Sequence, residues 1–218
     1  MGFLDRLRVS NHERHEPPDN TTTRFEQDAA SLIEQGNAFE DAGQFQEALA
    51  RYDAAIRLAP TLARAHLNRG NALLTLGDPE VAVTAYAVAL VHDPTYAAAH
   101  YNLGNAYVRL NRREDALTAY RHALALKPAF ADAEVALGAL YEDLGQRANA
   151  AASYRRALQI NPDYAAVHGN LGKVLQDLGE PEQAIASYRR AIELDPQSAA
   201  ASRHLCRSRG WVIWQRPE

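Results

Sequence analysis

Between His100 and Leu110 the chain reads HYNLGNAYVRL. His100, Leu103, Gly104 and Tyr107 fall at i, i+3, i+4 and i+7, the stripe that one face of a helix buries. A second such stripe runs through Ala116, Tyr120, Ala123 and Leu124. The pattern predicts two amphipathic helices, A and B, joined by a short turn. It also recurs. LIEQGNAFE begins at Leu32, HLNRGNALL at His66, HYNLGNAYV at His100, EVALGALYE at Glu134 and HGNLGKVLQ at His168, a constant offset of 34 residues. Helix B repeats in the same phase, and each copy closes on a proline: Pro60, Pro94, Pro128, Pro162 and Pro196.

Five units therefore follow one another without insertion or deletion, at 29–62, 63–96, 97–130, 131–164 and 165–198. The expected organisation is a flexible segment over 1–24, five repeats within 25–198, and a capping helix with an apolar tail over 199–218. Gly43, Gly77, Gly145 and Gly179 stand where helix A must end in a left-handed residue, and Asn111 takes that place once. Pro79 and Pro181 stand at the start of helix B, where a missing N–H costs little. Gly36, Gly70, Gly104, Gly138 and Gly172 are expected to face Ala48, Ala82, Ala116, Ala150 and Ala184 across a close helix pair. Tyr52, Tyr86, Tyr120, Tyr154 and Tyr188 are expected to fill the space between neighbouring units.

With Gly, Ala, Tyr, Ala and Pro at this spacing in all five units, the chain closely resembles the tetratricopeptide repeat (TPR) family. The bulky first position of that family is here Leu32, His66, His100, Glu134 and His168. The resemblance implies an all-α fold, a right-handed superhelix (an α-solenoid) of helix-turn-helix repeats, with the A helices lining a concave groove.

In the third unit, Ala98, Tyr101, Asn102, Asn105, Val108 and Arg109 share the face of helix A that would line this groove. The sixth residues of successive units are Glu34, Asn68, Asn102, Ala136 and Asn170; the ninth are Asn37, Asn71, Asn105, Ala139 and Lys173. A primary amide offers two donors and an acceptor, so a row of them can hold a peptide backbone whatever its side chains. The same amides could instead bond a neighbouring unit's backbone and fix the superhelix. Rows of sixth-position asparagines resemble the TPR arm of the O-linked N-acetylglucosamine transferases, where they hold substrate backbone. Here Ala136 and Glu34 interrupt the row. The carboxylate clamp of TPR proteins that bind chaperone tails requires Lys and Arg beside the asparagines. The matching positions hold Ile33, Ala98 and Asn102, then Leu67, Asp132 and Ala136, so no chaperone C-terminal tail is an expected partner.

Charge changes the picture little. There are 23 basic and 27 acidic residues, net −4, with no basic stripe for nucleic acid. Glu34, Glu40 and Asp41 make the groove acidic in unit one and Asp132, Glu142 and Asp143 in unit four, while Arg64 and Arg109 lie between. A partner carrying a basic residue near unit four would complement this. The single Cys206 suits a reducing compartment, and no apolar run is long enough to span a membrane, so a cytoplasmic location is expected.

No catalytic set appears. His66, His100 and His168 sit in different units and cannot converge on one metal ion. The HERHE stretch from His12 to Glu16 lacks HExxH spacing, and GNLGK from Gly169 to Lys173 lacks P-loop spacing. No enzyme activity, cofactor or metal is expected. Phe3, Leu4 and Leu7 would form at most a short amphipathic turn, and Trp211–Trp214 either packs on the last unit or docks a partner. Leu205 keeps the register of a sixth helix A, made more polar by Arg203, Arg207 and Arg209, as the open end of a solenoid requires. The expected function is a protein–protein interaction scaffold that binds an extended peptide or helix, with Asn68, Asn71, Tyr101, Asn102, Asn105, Arg109 and Asn170 as contacts. The alternative is the substrate-recruiting arm of a glycosyltransferase resembling the O-linked N-acetylglucosamine enzymes, with its catalytic domain outside this chain.

Overall fold

The computed structural model describes residues 20–197 and Leu205. Ten helices and no strands are found among them: α1 Asn20–Asp41, α2 Phe45–Leu58, α3 Ala63–Leu76, α4 Pro79–His92, α5 Ala97–Arg109, α6 Arg113–Leu126, α7 Ala131–Asp143, α8 Arg147–Ile160, α9 Ala165–Asp177 and α10 Pro181–Leu194. Each odd helix packs against the even helix that follows it, and each hairpin packs against the next. The odd helices α1, α3, α5 and α7 also touch in succession, so these four A helices form one continuous face. The helical phase along the chain thus becomes an all-α repeat superhelix.

The turns form where the sequence places them. Gly77 adopts φ 94° and its N–H closes the end of α3 on the carbonyls of Leu73 and Leu74. Asn111 holds φ 58° at the equivalent point after α5, the one described non-glycine residue in that region. Pro79 and Pro181 open α4 and α10. α1 differs from expectation: it starts at Asn20, so residues 20–24 are helical rather than part of the flexible segment. The polar run NTTT favours no other structure strongly enough to stop a helix already nucleated behind it, because each added residue gains a hydrogen bond.

The packing inside a hairpin also differs from expectation. The alanines are buried, but a Cβ on Gly104 would meet Tyr120 Cε1 at 2.5 Å, and Gly36, Gly70, Gly138 and Gly172 face Tyr52, Tyr86, Tyr154 and Tyr188 in the same way. The glycine is therefore a slot for the aromatic ring of its own hairpin. All five rings are at most 2 % exposed.

At the outer side of α1, Ser31 and Gln35 are exposed, whereas the equivalent Val167 and Leu171 of unit five are buried. Leu205 packs against the core of units three to five. Residues 1–19, the three arginines of the expected cap, Cys206 and Trp211–Trp214 lie outside the described residues.

Candidate functional site

The asparagine rows meet across the unit boundaries. Asn68 Nδ2 donates to Asn37 Oδ1 at 2.8 Å, and Asn102 Nδ2 donates to Asn71 Oδ1 at 2.8 Å. Sixth-position amides thus bond the ninth-position amide of the preceding unit, side chain to side chain rather than to backbone. The same ninth-position oxygens accept from the slotted tyrosines: Tyr52 Oη to Asn37 at 3.0 Å, Tyr86 to Asn71 at 2.9 Å and Tyr120 to Asn105 at 2.7 Å. Glycine slot, ring, hydroxyl and amide form one chain of contacts that runs from the hairpin core to the A-helix face.

These bonds orient the amides. Asn71 spends its oxygen on two donors and retains its Nδ2 group; Asn102 spends one N–H and retains its oxygen. Both are half-buried. The unspent ends alternate acceptor and donor along the face.

Unit four breaks the pattern, with Ala136 and Ala139 at its sixth and ninth positions. Asn105 loses the donor that would come from residue 136. Asn170 loses the acceptor that would come from residue 139, is exposed, and makes no hydrogen bond among the described residues. A cleft of about 360 Å³ opens here, lined by Ala139, Glu142, Asn170, Lys173 and Asp177 among others. Tyr154 Oη turns to Glu142 at 2.6 Å, and Lys173 Nζ bonds the other oxygen of that carboxylate at 2.7 Å. That hydrogen bond holds the Lys173 ammonium above its ordinary pKa. Desolvation, helped in Tyr52 and Tyr154 by a bond to a carboxylate, raises the phenols of Tyr52, Tyr86, Tyr120 and Tyr154.

The remaining groove residues divide into tied and untied. Glu34 pairs with Arg64 at 2.7 Å, and Glu40 lies 2.6 Å from Tyr52 Oη, sharing with Asn37 the one hydrogen that hydroxyl can give, so part of the acidity expected of unit one is spent internally. Tyr101 stacks at a tilt against Phe130, centroids 5.0 Å apart, and against Tyr120 at 5.9 Å. Arg109 is exposed and makes no ion pair or hydrogen bond among the described residues, beside exposed Val108. Tyr101, Asn102, Asn105 and Arg109 share one face of α5, with Asn71 reached through its bond to Asn102 and Asn68 one rung further along. Asn170 stands apart from them beyond unit four.

The histidines have structural partners. Nε2 of His66, His100 and His168 lies 2.7, 3.2 and 2.9 Å from the carbonyls of Pro60, Pro94 and Pro162. A carbonyl only accepts, so Nε2 carries the proton. In unit four Glu134 replaces histidine and is buried against Arg156, with bonds of 2.6 and 2.9 Å. Sequence reasoning missed this pair and the Glu142–Lys173 bond; the lone acid in a column of histidines was the available signal for the first. No helix among the described residues is long and apolar enough to cross a membrane.

Comparison with known proteins bears on this arrangement. The TPR repeat model matches residues 36–77, 70–111, 104–145 and 143–179, and the tetratricopeptide repeat model matches 165–198. No curated protein matches the chain. Among solved structures, the MamA crystal structure is 26% identical with a TM-score of 0.68, covering 75% of this chain and 96% of its own. PilF of Pseudomonas aeruginosa is 20% identical with a TM-score of 0.80, covering 87% and 86%. YrrB, described as a TPR protein with an unusual peptide-binding site, is 23% identical with a TM-score of 0.66, covering 85% and 97%.

Proposed function

The chain belongs to the tetratricopeptide repeat family, and on that premise we propose that it is a non-enzymatic interaction scaffold whose A-helix groove holds an extended peptide or a helix of a partner protein. The observation that carries this reading is the half-spent state of the amides. Asn71 keeps a donor and Asn102 keeps an acceptor, each oriented by an internal bond. Preorganised donors and acceptors cost little further ordering when a ligand arrives. A peptide backbone offers the complementary N–H and C=O groups.

In this reading Asn68, Asn71, Asn102, Asn105 and Asn170 contact the partner's backbone. Tyr101 and Val108 supply apolar area, and Arg109 contributes an unspent positive charge. YrrB gives a precedent of the same fold for a peptide site. The balanced composition speaks against nucleic acid, the missing Lys and Arg speak against a chaperone tail, and the lone cysteine suits the cytoplasm. The glycosyltransferase-arm reading rests on a continuous row of sixth-position asparagines, and Glu34 and Ala136 interrupt that row here.

The test is capture of partners from lysate of the source cells, with Arg109→Ala plus Asn170→Ala as the comparison bait. Both residues are exposed and make no hydrogen bond or ion pair among the described residues, so their loss leaves the fold alone. Loss of specific partners with the double change supports the groove; the same partners at equal yield would move the site elsewhere.

A further inference from the structure

We propose that unit four is a receiving notch for the amide groups of an extended partner segment, which completes the ladder that Ala136 and Ala139 leave open. The inference rests on the groove reading and deepens it, fixing where the partner's backbone is read and by which atoms.

Subtraction identifies the notch. At the junctions of units one with two and two with three, a rung consists of a ninth-position oxygen and a sixth-position nitrogen 31 residues later, 2.8 Å apart. Applied to the next junction, the rule pairs Asn105 with residue 136, which is alanine; at the last junction it pairs residue 139, also alanine, with Asn170. The two cuts are complementary. Asn105 is left with an oxygen that accepts from Tyr120 alone, one donor fewer than Asn37 and Asn71 receive. Asn170 is left with its whole amide, including both donors. What is missing is a donor facing Asn105 at one junction and an acceptor facing Asn170 at the next, the two polar groups that a peptide backbone repeats along its length.

Space and local chemistry agree. The cleft of about 360 Å³ sits at Ala139 and Asn170. Ala139 is exposed where Asn37, Asn71 and Asn105 are half-buried, and Asn170 is exposed where Asn68 and Asn102 are half-buried. The tyrosine that would have bonded residue 139 does not occupy the gap, because Tyr154 is held by Glu142 at 2.6 Å. Glu142 is in turn held by Lys173, so the phenol and the carboxylate are each drawn to a partner of their own at the edge of the cleft. An extended segment presents N–H and C=O groups along its length every few ångströms, so one chain can give a hydrogen to Asn105 and accept one from Asn170. The occupant is therefore the backbone of an extended segment, recognised by its N–H and C=O groups rather than by net charge.

The test uses a displayed library of random twelve-residue peptides, selected on the full chain, with the selected peptides then synthesised and titrated. The refilled variant Ala136→Asn with Ala139→Asn supplies both missing groups from within. We expect it to bind the selected peptides about tenfold more weakly while its melting temperature holds or rises, as two net hydrogen bonds would dictate. Asn170→Ala, which removes an exposed side chain and cannot disturb the fold, is expected to weaken them several-fold and decides the matter if the refilled variant folds poorly. Equal affinity of wild type, the refilled variant and Asn170→Ala overturns the notch; if Arg109→Ala still weakens the same peptides, the groove survives without it. A library that yields no binder overturns both.

Discussion

Asn102 gives an N–H to Asn71 across the boundary between units two and three, and Asn71 Oδ1 accepts at the same time from Tyr86. The two asparagines are therefore unequal partners. Asn71→Ala strands a hydroxyl on a ring that is fully buried, as well as an amide in the next unit; Asn102→Ala strands only a half-buried oxygen that keeps its other donor. We expect a loss of about 2–3 kcal/mol for Asn71→Ala and about 1 kcal/mol for Asn102→Ala in urea unfolding. Equal losses would mean that the tyrosine bond contributes nothing.

Glycines inside helices separate in sign. Gly104→Ala places a methyl group 2.5 Å from the buried Tyr120 ring, which cannot retreat, and the overpacking should cost about 1–3 kcal/mol despite the better helix propensity. Gly169 in α9 has nothing within 4 Å of its would-be Cβ, and Gly169→Ala should stabilise by about 0.5–1 kcal/mol. Denaturation midpoints that shift in the same direction for both would refute the slot.

Arg156→Met leaves the Glu134 carboxylate buried and unpaired, and a loss of about 2 kcal/mol is expected, below the usual figure for a buried pair because Arg156 is half exposed. The companion change Glu134→His restores the residue found at this position in units two, three and five. Its Nε2 can reach the Pro128 carbonyl as its counterparts reach theirs. The double variant should therefore recover most of the loss, which a thermal melt of the three proteins will read. Arg190→Ala removes exposed pairs with Asp163 and Glu193 and should change little.

Alkaline pH should unfold the array. Tyr52, Tyr86, Tyr120 and Tyr154 all have phenols raised above the ordinary 10.0 in the folded state. Between that value and the folded pKa the unfolded chain has released protons that the folded chain retains, so stability falls as pH rises above about 10, by at most about 1.4 kcal/mol per pH unit for each tyrosine. Urea midpoints by circular dichroism at pH 8, 10 and 11 will show a flat stretch followed by a fall. A midpoint unchanged at pH 11 would mean that the rings ionise in place.

Much of this was legible from the chain alone. The five units, the left-handed Gly77 and Asn111, and the prolines that open α4 and α10 all follow from local rules, which need no knowledge of how one unit sits on the next. The partners of the asparagines were not legible. Asn71 and Asn102 are 31 residues apart, and whether they meet depends on the rotation between units, which no local rule sets. The glycine–tyrosine contact was missed for a similar reason: Gly104 and Ala116 share a small-residue logic along the chain, but the ring of Tyr120 reaches back over a helical turn to the glycine. The extension of α1 to Asn20 was missed because a polar composition was read as loop, although threonine only weakly resists a helix that continues beyond it.

Because each rung is shared by two neighbours, a unit of this array is not a self-contained part: its sixth position belongs to the unit before it and its ninth to the unit after. Excising residues 131–164, one whole unit, would bring Asn170 to the distance from Asn105 along the chain that each intact rung spans. The shortened protein would carry an unbroken amide ladder from end to end. In modular terms, the fourth unit parts two segments with matching ends, and its removal closes the seam.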